Sequence, residues 1–180
     1  TNEDFYTYTT KKDIAWFECC DAIAPWVDIP AYVAATGGTE ILKASDWAVN
    51  KHEAYLDALA TYPGRTVLGQ IIPGFDDWTK QWGDGVERVI TRSEDLIEGQ
   101  MDGIAALRTA GKEVGGFLFA TWDDWTEGTQ WDAETTEGTT MMEKMSTELA
   151  AYYSETVTPA ETAAFAATFT SFGLVRTCPA

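Results

Sequence analysis

Three apolar runs constrain the fold of this chain more than any other feature. They lie in the segments DIAWFECCDAIAPW from Asp13, RTVLGQIIPGF from Arg65 and EVGGFLFATW from Glu113. None of them alternates between apolar and polar residues, which is typical of strands in a parallel sheet that is covered on both faces. Each run therefore predicts at least one buried strand.

Helical patterns separate these runs. The segment SDWAVNKHEAYLDALATYPG begins at Ser45, a candidate N-cap, and ends at the proline and glycine of residues 63–64. Residues 83–112 predict a helix of about four turns or more, with Gly111 as its C-cap. His52 is the one histidine of the chain, and we expect it on the surface of the first helix. This order of strands and helices predicts βα units.

Two helical segments follow the last apolar run. GTTMMEKMSTELAAYYSE begins at Gly138, and a second segment begins at Thr158 with the spacing of a capping box. We therefore divide the chain into an α/β part, residues 1–138, which carries the candidate site, and a helical C-terminal extension packed on it, residues 139–180. Three or four strands do not close a (β/α)₈ barrel, which needs about 200 residues. A small open α/β domain and the C-terminal part of a barrel are the alternatives.

Charge narrows the class of partner. The chain has 29 acidic against 12 basic residues and a formal net charge of −17. Such a surface repels phosphate backbones and anionic membranes, so we expect no nucleic-acid partner. No apolar run reaches the roughly eighteen residues of a membrane-spanning helix, so no membrane insertion is expected. The chain opens on polar residues without a methionine, and we expect a processed product or a piece of a longer protein.

The cysteines leave two alternatives open. Cys19 and Cys20 are adjacent, and Cys178 lies in the C-terminal tail. A disulfide could tie the tail to Cys19 or Cys20, or the thiols could be free and buried, and an odd number of cysteines does not decide between these states.

Acidic residues and tryptophans stand together at three predicted strand ends. In chain order these residues are Trp26 and Asp28; Asp76, Asp77 and Trp78; and Trp122, Asp123, Asp124, Trp125 and Glu127. Carboxylates accept hydrogen bonds from sugar hydroxyls, and indole faces cover the apolar face of a pyranose ring. Since α/β proteins place their sites at the carboxyl ends of parallel strands, the pattern predicts a carbohydrate site.

Asp124 and Glu127 are the candidate catalytic pair. Their spacing of three places both side chains on one side of a helical turn, and glycosidases use two carboxyl groups that flank the scissile bond. One member must hold a proton, and we expect burial beside a tryptophan and a neighbouring anion to raise the pKa of Glu127. A structural carboxylate would instead accept hydrogen bonds from backbone N–H groups or pair with a basic side chain. A solvated turn with core tryptophans is the ordinary alternative.

Metal chemistry is not predicted. The acidic segment lacks the D-x-[DN]-x-[DN]-G spacing of a calcium loop, and a single histidine, His52, does not make a zinc site. No motif supports a serine or cysteine nucleophile paired with that histidine. We therefore expect neither a metal nor a cofactor.

The segment FATWDDWTEGTQWDAE, from Phe119, resembles the sequence TSFNEWHEGTQIE of endo-α-mannosidases, family 99 of the glycoside hydrolases. It is also similar to the TWNEWGEGT segment of bacterial polysaccharide-associated barrel proteins. The shared pattern is W-x-E-G-T-Q with an acidic residue before the tryptophan. The upstream segments DAIAPW and GQIIPGFDDW look like earlier strand ends of such barrels, so the resemblance covers about residues 13–134.

The resemblance implies the C-terminal portion of a (β/α)₈ (TIM) barrel with a helical C-terminal extension. The missing strands would lie on another fragment or a partner chain. By position, Glu127 matches the family's general acid/base. Asp124 stands where the family has a glutamate that deprotonates the sugar's 2-hydroxyl, giving retention through an epoxide-like intermediate. Asp123 stands in place of an asparagine.

Three functions follow as hypotheses. The first is an extracellular or secretory-pathway glycoside hydrolase that cleaves an α-linked polysaccharide or glycan by acid/base catalysis without a cofactor. Its subsites would be lined by Trp26, Trp78, Trp122, Trp125, Asp76, Asp77 and Asp123. The second is a catalytically silent structural or assembly protein on a degenerate hydrolase scaffold, and the third is a glycan-binding module. Hydrolysis that depends on Glu127 separates the first from the others.

Overall fold

The computed structural model describes residues 6–9, 14–26, 40–77, 89–121, 124–131, 133 and 138–154. The strands in these ranges are β1 (Tyr6–Thr9), β2 (Ala22–Pro25), β3 (Thr66–Ile71), β4 (Phe75–Asp76), β5 (Val89–Ile90) and β6 (Gly116–Phe119). The helices are a 3₁₀ helix (Ile14–Glu18), α1 (Glu40–Ala58), α2 (Glu94–Thr109) and α3 (Thr140–Tyr153). The chain forms two compact units. Unit 1 contains the described residues up to Ile71 and Gly99–Phe119, and unit 2 contains Ile72–Glu98 and the described residues from Ala120 onward.

Unit 1 is built on a four-stranded parallel sheet in the order β1-β2-β3-β6. Ala22 pairs with Thr66 across β2 and β3, and Leu68 pairs with Gly116 across β3 and β6. The predicted α/β class with a parallel sheet is confirmed. Three of these strands lie in the three predicted apolar segments, whereas β1 precedes them and was not predicted.

Helix α1 buries one face, and that face includes polar residues. Its buried positions share the spacing of one helix side, and they include Ala44, Trp47, Ala48, Lys51, His52 and Tyr55. His52 is fully buried, so its prediction as a surface residue was wrong. The predicted start at Ser45 was also wrong, because α1 begins at Glu40 and contains Ser45.

Hydrogen bonds fix His52 between α1 and β3. The Gln70 N–H of β3 donates to Nε2 of His52 at 3.0 Å, and Nδ1 lies 2.7 Å from the Ala48 carbonyl. Nε2 must therefore be the acceptor, and Nδ1 carries the proton and donates to Ala48. Burial, followed by the charge of Lys51, lowers the pKa of His52 to about 3. The ring is thus a neutral structural link.

Lys51, the neighbour of His52, also reaches the same strand. Its Nζ donates to the Gln70 carbonyl at 2.9 Å and to the Gln70 side-chain oxygen at 2.6 Å. The ammonium group also lies 4.2 Å from the centre of the Trp47 ring, within the range of a cation–π contact. Two polar residues on the buried face of α1 therefore hold this helix against β3.

Helix α2 has 16 residues, which is about four and a half turns and agrees with the predicted length. Residues 89–90 form β5, and the helix begins only at Glu94, after Ser93. The Ser93 hydroxyl accepts the Leu96 N–H at 3.1 Å, as an N-cap does. The predicted C-cap at Gly111 is confirmed by its φ of +80°, with its N–H donating to the Arg108 carbonyl at 2.9 Å.

In unit 2, β4 and β5 pair antiparallel, with Phe75 opposite Ile90. Gly74 lies so close to the segment that holds Arg92 that an added Cβ would be 2.8 Å from the Arg92 Cα. This close approach excludes larger residues at position 74 unless the backbone moves.

The predicted helix after Gly138 is confirmed as α3, which buries Met141, Met142 and Met145. Lys144 of this helix forms ion pairs with Glu98 at 2.5 Å and Glu148 at 2.9 Å. The second predicted helix, from Thr158, lies outside the described residues, and the division into residues 1–138 and 139–180 stays a prediction. Among the helices that the structure describes, none is both long and apolar enough to cross a membrane.

Candidate active site

Two of the predicted acidic segments meet in unit 2. The Asp76 N–H, in β4, donates to the Glu127 carbonyl at 2.7 Å. One segment directly follows β3 in the chain and the other directly follows β6, and these two strands are neighbours in the parallel sheet of unit 1. The backbone of Asp76 is therefore fixed beside that of Glu127.

Gly128 makes this contact possible. Its φ of +66° lies in the left-handed region that glycine adopts without cost. An added Cβ would lie 3.3 Å from the Asp76 nitrogen, closer than ordinary packing. The glycine of W-x-E-G-T-Q is thus explained by backbone conformation and by the approach of β4.

The segment between Thr121 and Trp131 closes on itself. The Thr121 N–H donates to the Thr129 carbonyl at 2.9 Å, and the two threonine hydroxyls are hydrogen-bonded at 2.8 Å. The Trp131 N–H donates back to the Thr121 carbonyl at 3.0 Å. Trp131 is buried, and its indole N–H donates to the Ala120 carbonyl at 3.3 Å. The third tryptophan of the acidic segment therefore belongs to the core.

Asp124 caps the turn that carries Glu127. Its Oδ1 accepts the N–H of Thr126 at 3.0 Å, the hydroxyl of Thr126 at 2.5 Å and the N–H of Glu127 at 3.1 Å. The Asp124 N–H itself donates to the Thr121 hydroxyl at 3.1 Å. This is the pattern of an aspartate that organises a turn through its own side chain. One oxygen of the carboxylate is therefore committed to local structure.

Glu127 is half-buried, and both of its backbone polar groups are used. Its N–H goes to Asp124 and its carbonyl to Asp76. The position of this residue is thus fixed from both sides, by the turn and by β4. The raised pKa expected for its side chain stays a prediction.

Two buried polar atoms of this segment lack a hydrogen-bond partner in the described part of the chain. They are the Oε1 acceptor of Gln130, a residue with 2% of its surface exposed, and the indole N–H of Trp125. Buried polar groups in folded proteins are almost always paired, so such atoms call for a specific explanation. Both lie within six residues of Asp124 in the chain.

Residues that were not predicted support the site. Thr129 and Gln130 are buried, and Arg92 donates through Nη1 to the Gln130 carbonyl at 2.6 Å. The signal for Thr129 and Gln130 was in the W-x-E-G-T-Q pattern itself. No local pattern could indicate Arg92, since this contact joins residues 38 positions apart.

The remaining predicted residues differ in placement. Asp77 is buried with 2% of its surface exposed, whereas Asp76 is exposed. Trp26 is half-buried and belongs to unit 1. Three predicted site residues, Trp78, Trp122 and Asp123, lie outside the described residues. Their roles, like that of Trp26, stay predictions.

Metal ligands are not clustered in the ranges that the structure describes. No group there brings together three or more histidine, cysteine or acidic side chains in a way that could hold a metal ion.

Comparison with known proteins supports a glycoside hydrolase-like fold. A solved structure described as "Glycoside hydrolase-like protein" matches with a TM-score of 0.58, and the match covers 79% of this chain. The two sequences are 13% identical, so the likeness concerns the fold alone. The chain spans 42% of the length of that protein. Neither a protein-family model nor a curated protein matches the sequence.

Proposed function

We propose that this chain belongs to a carbohydrate-active protein of the endo-α-mannosidase-like type, which cleaves an α-linked polysaccharide or glycan by acid/base catalysis. Glu127 is the general acid/base and Asp124 its partner. The observation that carries the proposal is the 2.7 Å hydrogen bond from the Asp76 N–H to the Glu127 carbonyl. This hydrogen bond joins two segments, each of which was predicted to belong to a carbohydrate site because it combines acidic residues with tryptophans.

The proposed scaffold is the C-terminal part of a (β/α)₈ barrel. Its support is the strand order, because β1, β2, β3 and β6 are parallel and follow one another in the sheet as they do in the chain. Barrels have this order, whereas doubly wound sheets reverse direction at a switch point. The remaining strands would come from another fragment or a partner chain, which agrees with the 42% coverage of the hydrolase-like structure.

The proposed ligand is a sugar with several hydroxyl groups, and the proposed location is extracellular or in the secretory pathway. The Trp125 indole N–H is a donor and the Gln130 Oε1 an acceptor, and neither has a partner within the described ranges. A hydroxyl group donates and accepts, so a sugar could satisfy both types of group. The exposed side chain of Asp76 would accept from further hydroxyls, and Trp78, Trp122 and Asp123 would complete the subsites.

The test is hydrolysis of a panel of α-mannans and α-glucans by the purified chain. Replacing Glu127 with glutamine keeps its shape but removes the proton donor, and loss of such a group lowers rates by about 10²–10⁴-fold. The matched control is Glu18→Gln at an exposed glutamate of the 3₁₀ helix, which should leave the rate unchanged. Equal rates for both variants would contradict the catalytic assignment.

A second candidate, a glycan-binding module without turnover, is favoured by one observation. Oδ1 of Asp124 accepts three hydrogen bonds within its own turn, which is the behaviour of a structural carboxylate. Asp124→Asn keeps an oxygen for the turn but removes the charge, whereas Asp124→Ala removes both. A module that only binds should bind sugar equally well with asparagine and lose about 1 kcal/mol of stability with alanine. An enzyme should lose turnover with either substitution.

A further inference from the structure

Cys19 and Cys20 form a pair of thiols in contact. They connect the 3₁₀ helix to β2, and their Sγ atoms lie 3.8 Å apart. Cys19 is exposed, whereas Cys20 is buried with 5% of its surface exposed. One thiol is thus open to a reagent in solution, and the other lies directly behind it.

Hydrogen bonds order the pair. The Cys19 Sγ lies 3.4 Å from the Trp16 carbonyl and donates to it. Since that hydrogen is used, the Cys20 thiol must be the donor in its contact with the Cys19 sulfur. Burial, followed by this hydrogen bond, raises the pKa of Cys20. The two sulfurs are therefore held in a fixed chain from Cys20 through Cys19 to Trp16.

We propose that Cys19 and Cys20 form a vicinal dithiol that closes reversibly to a disulfide by exchange with a low-molecular-weight disulfide such as oxidised glutathione. The Cys19 thiolate attacks one sulfur of the reagent, forms a mixed disulfide and releases one thiol. The Cys20 sulfur then attacks the Cys19 sulfur, breaks the mixed disulfide and releases the second thiol. Both cysteines are oxidised together, and the two protons they lose are carried away on the two thiols released.

Geometry indicates that this disulfide is a labile one. Consecutive Cα atoms lie about 3.8 Å apart across a trans peptide, whereas disulfides usually join Cα atoms about 4.4–6.8 Å apart. Closing the bond also brings the sulfurs from 3.8 Å to about 2.05 Å. A disulfide between neighbouring residues is therefore strained, and strained disulfides are more readily reduced than structural ones. The pair is suited to a reversible change and not to a permanent cross-link.

The test follows the thiols of the unaltered chain and of Cys178→Ser at graded ratios of oxidised to reduced glutathione. Samples are acid-quenched and treated with N-ethylmaleimide, and the intact mass and the peptide holding Cys19 and Cys20 are measured. As the ratio of oxidised to reduced glutathione rises, this peptide should change from carrying two alkylated thiols to carrying none. Its mass should then be two hydrogen atoms below that of the reduced, unalkylated peptide, and the chain should remain monomeric. Dithiothreitol should restore both thiols.

Single-thiol variants in the Cys178→Ser background are the matched controls. With Cys20→Ser, the exposed Cys19 should stop at a mixed disulfide with glutathione. With Cys19→Ser, the buried Cys20 should stay reduced at ratios that oxidise the pair. Two alkylated thiols at every ratio, a stable glutathione adduct on the paired chain, or a cross-link from Cys178 to either cysteine in the unaltered chain would each overturn the proposal. Because the unaltered chain is also measured, the result does not depend on whether a variant folds.

Discussion

The burial of His52 makes the stability of unit 1 depend on pH. Burial and the neighbouring Lys51 lower the pKa of His52 from 6.5 to about 3. In the unfolded chain the imidazole returns to its ordinary pKa near 6.5. Between these two values the unfolded state binds a proton that the folded state does not, so protonation favours unfolding. The contribution of His52 to the stability of unit 1 should therefore be fully present above about pH 6.5 and be lost as the pH drops toward 3.

The size of the effect follows from the same two numbers. A pKa lowered by one unit corresponds to about 1.4 kcal/mol of free energy. The change from 6.5 to about 3 for His52 therefore corresponds to about 5 kcal/mol. At pH 5 the expected loss is about 2 kcal/mol, because the unfolded imidazole is then largely protonated. Domains of this size are commonly stable by about 5–15 kcal/mol. The loss at pH 5 is thus large enough to measure without unfolding a stable domain.

His52→Gln isolates this contribution from the titration of the carboxylates. Glutamine does not titrate, and its side-chain oxygen can accept the Gln70 N–H that now reaches Nε2. We expect the free energy of unfolding in urea to fall by about 2 kcal/mol more in the unaltered chain than in His52→Gln between about pH 7.5 and pH 5. Since the chain has one histidine, NMR can also follow its imidazole directly. A midpoint near the ordinary pKa, or equal losses in both proteins, would refute the buried neutral His52.

Two further predictions concern the support of the site. Gly128→Ala should lower the free energy of unfolding more than Gly138→Ala. Both glycines have a positive φ, which costs a residue with a side chain about 1–2 kcal/mol. Of the two, only Gly128 lies where an added Cβ would meet another segment. Equal costs in thermal unfolding would contradict the close approach. Arg92→Met should cost about 1.5–3 kcal/mol through its lost hydrogen bond to the Gln130 carbonyl, whereas Arg108→Met at an exposed ion pair should cost about 0–1 kcal/mol. A cost for Arg92 no larger than for Arg108 in urea unfolding would show that this bond does not support the loop.

The strands β3 and β6 and the helix α3 could be predicted because their sequences carry strong local patterns. β3 and β6 lie in apolar runs, α3 has its methionines at helical spacing, and Gly111 ends α2 with a conformation that favours glycine. Proximity of Asp76 to Glu127 could be expected for a different reason. Both follow parallel strands, and such strands end at the same edge of a sheet.

The errors arose where tertiary contacts override local preference. His52 and Lys51 are polar, yet their spacing from Ala48 puts them on the buried face of α1, where Gln70 satisfies them. Their partner lies 18 and 19 residues away, so no window along the helix could reveal it. Ser45 has the composition of an N-cap but lies inside α1. Composition therefore predicted the elements better than it predicted their ends or their buried polar contacts.

The capping role of Asp124 is the part of the candidate site that the sequence could not predict. Its spacing from Glu127 predicted that both side chains lie on one side of a turn. The structure shows that Asp124 accepts the Glu127 backbone N–H within this turn, and the placement of the two side chains on one side stays a prediction. The spacing could not show that one carboxylate oxygen is used by Thr126. A short acidic segment offers its oxygens to sugars and to its own backbone alike, and only the three-dimensional arrangement distinguishes these uses.

Because the Asp76 N–H donates to the Glu127 carbonyl, hydrogen exchange at this one amide reports on the separation of the two segments. The Asp76 N–H exchanges with solvent deuterium only when its bond to the Glu127 carbonyl opens. Its exchange rate therefore measures how often the two segments separate. A sugar held by both segments would have to lengthen the lifetime of this one amide, whereas a sugar bound elsewhere on the chain would leave it unchanged.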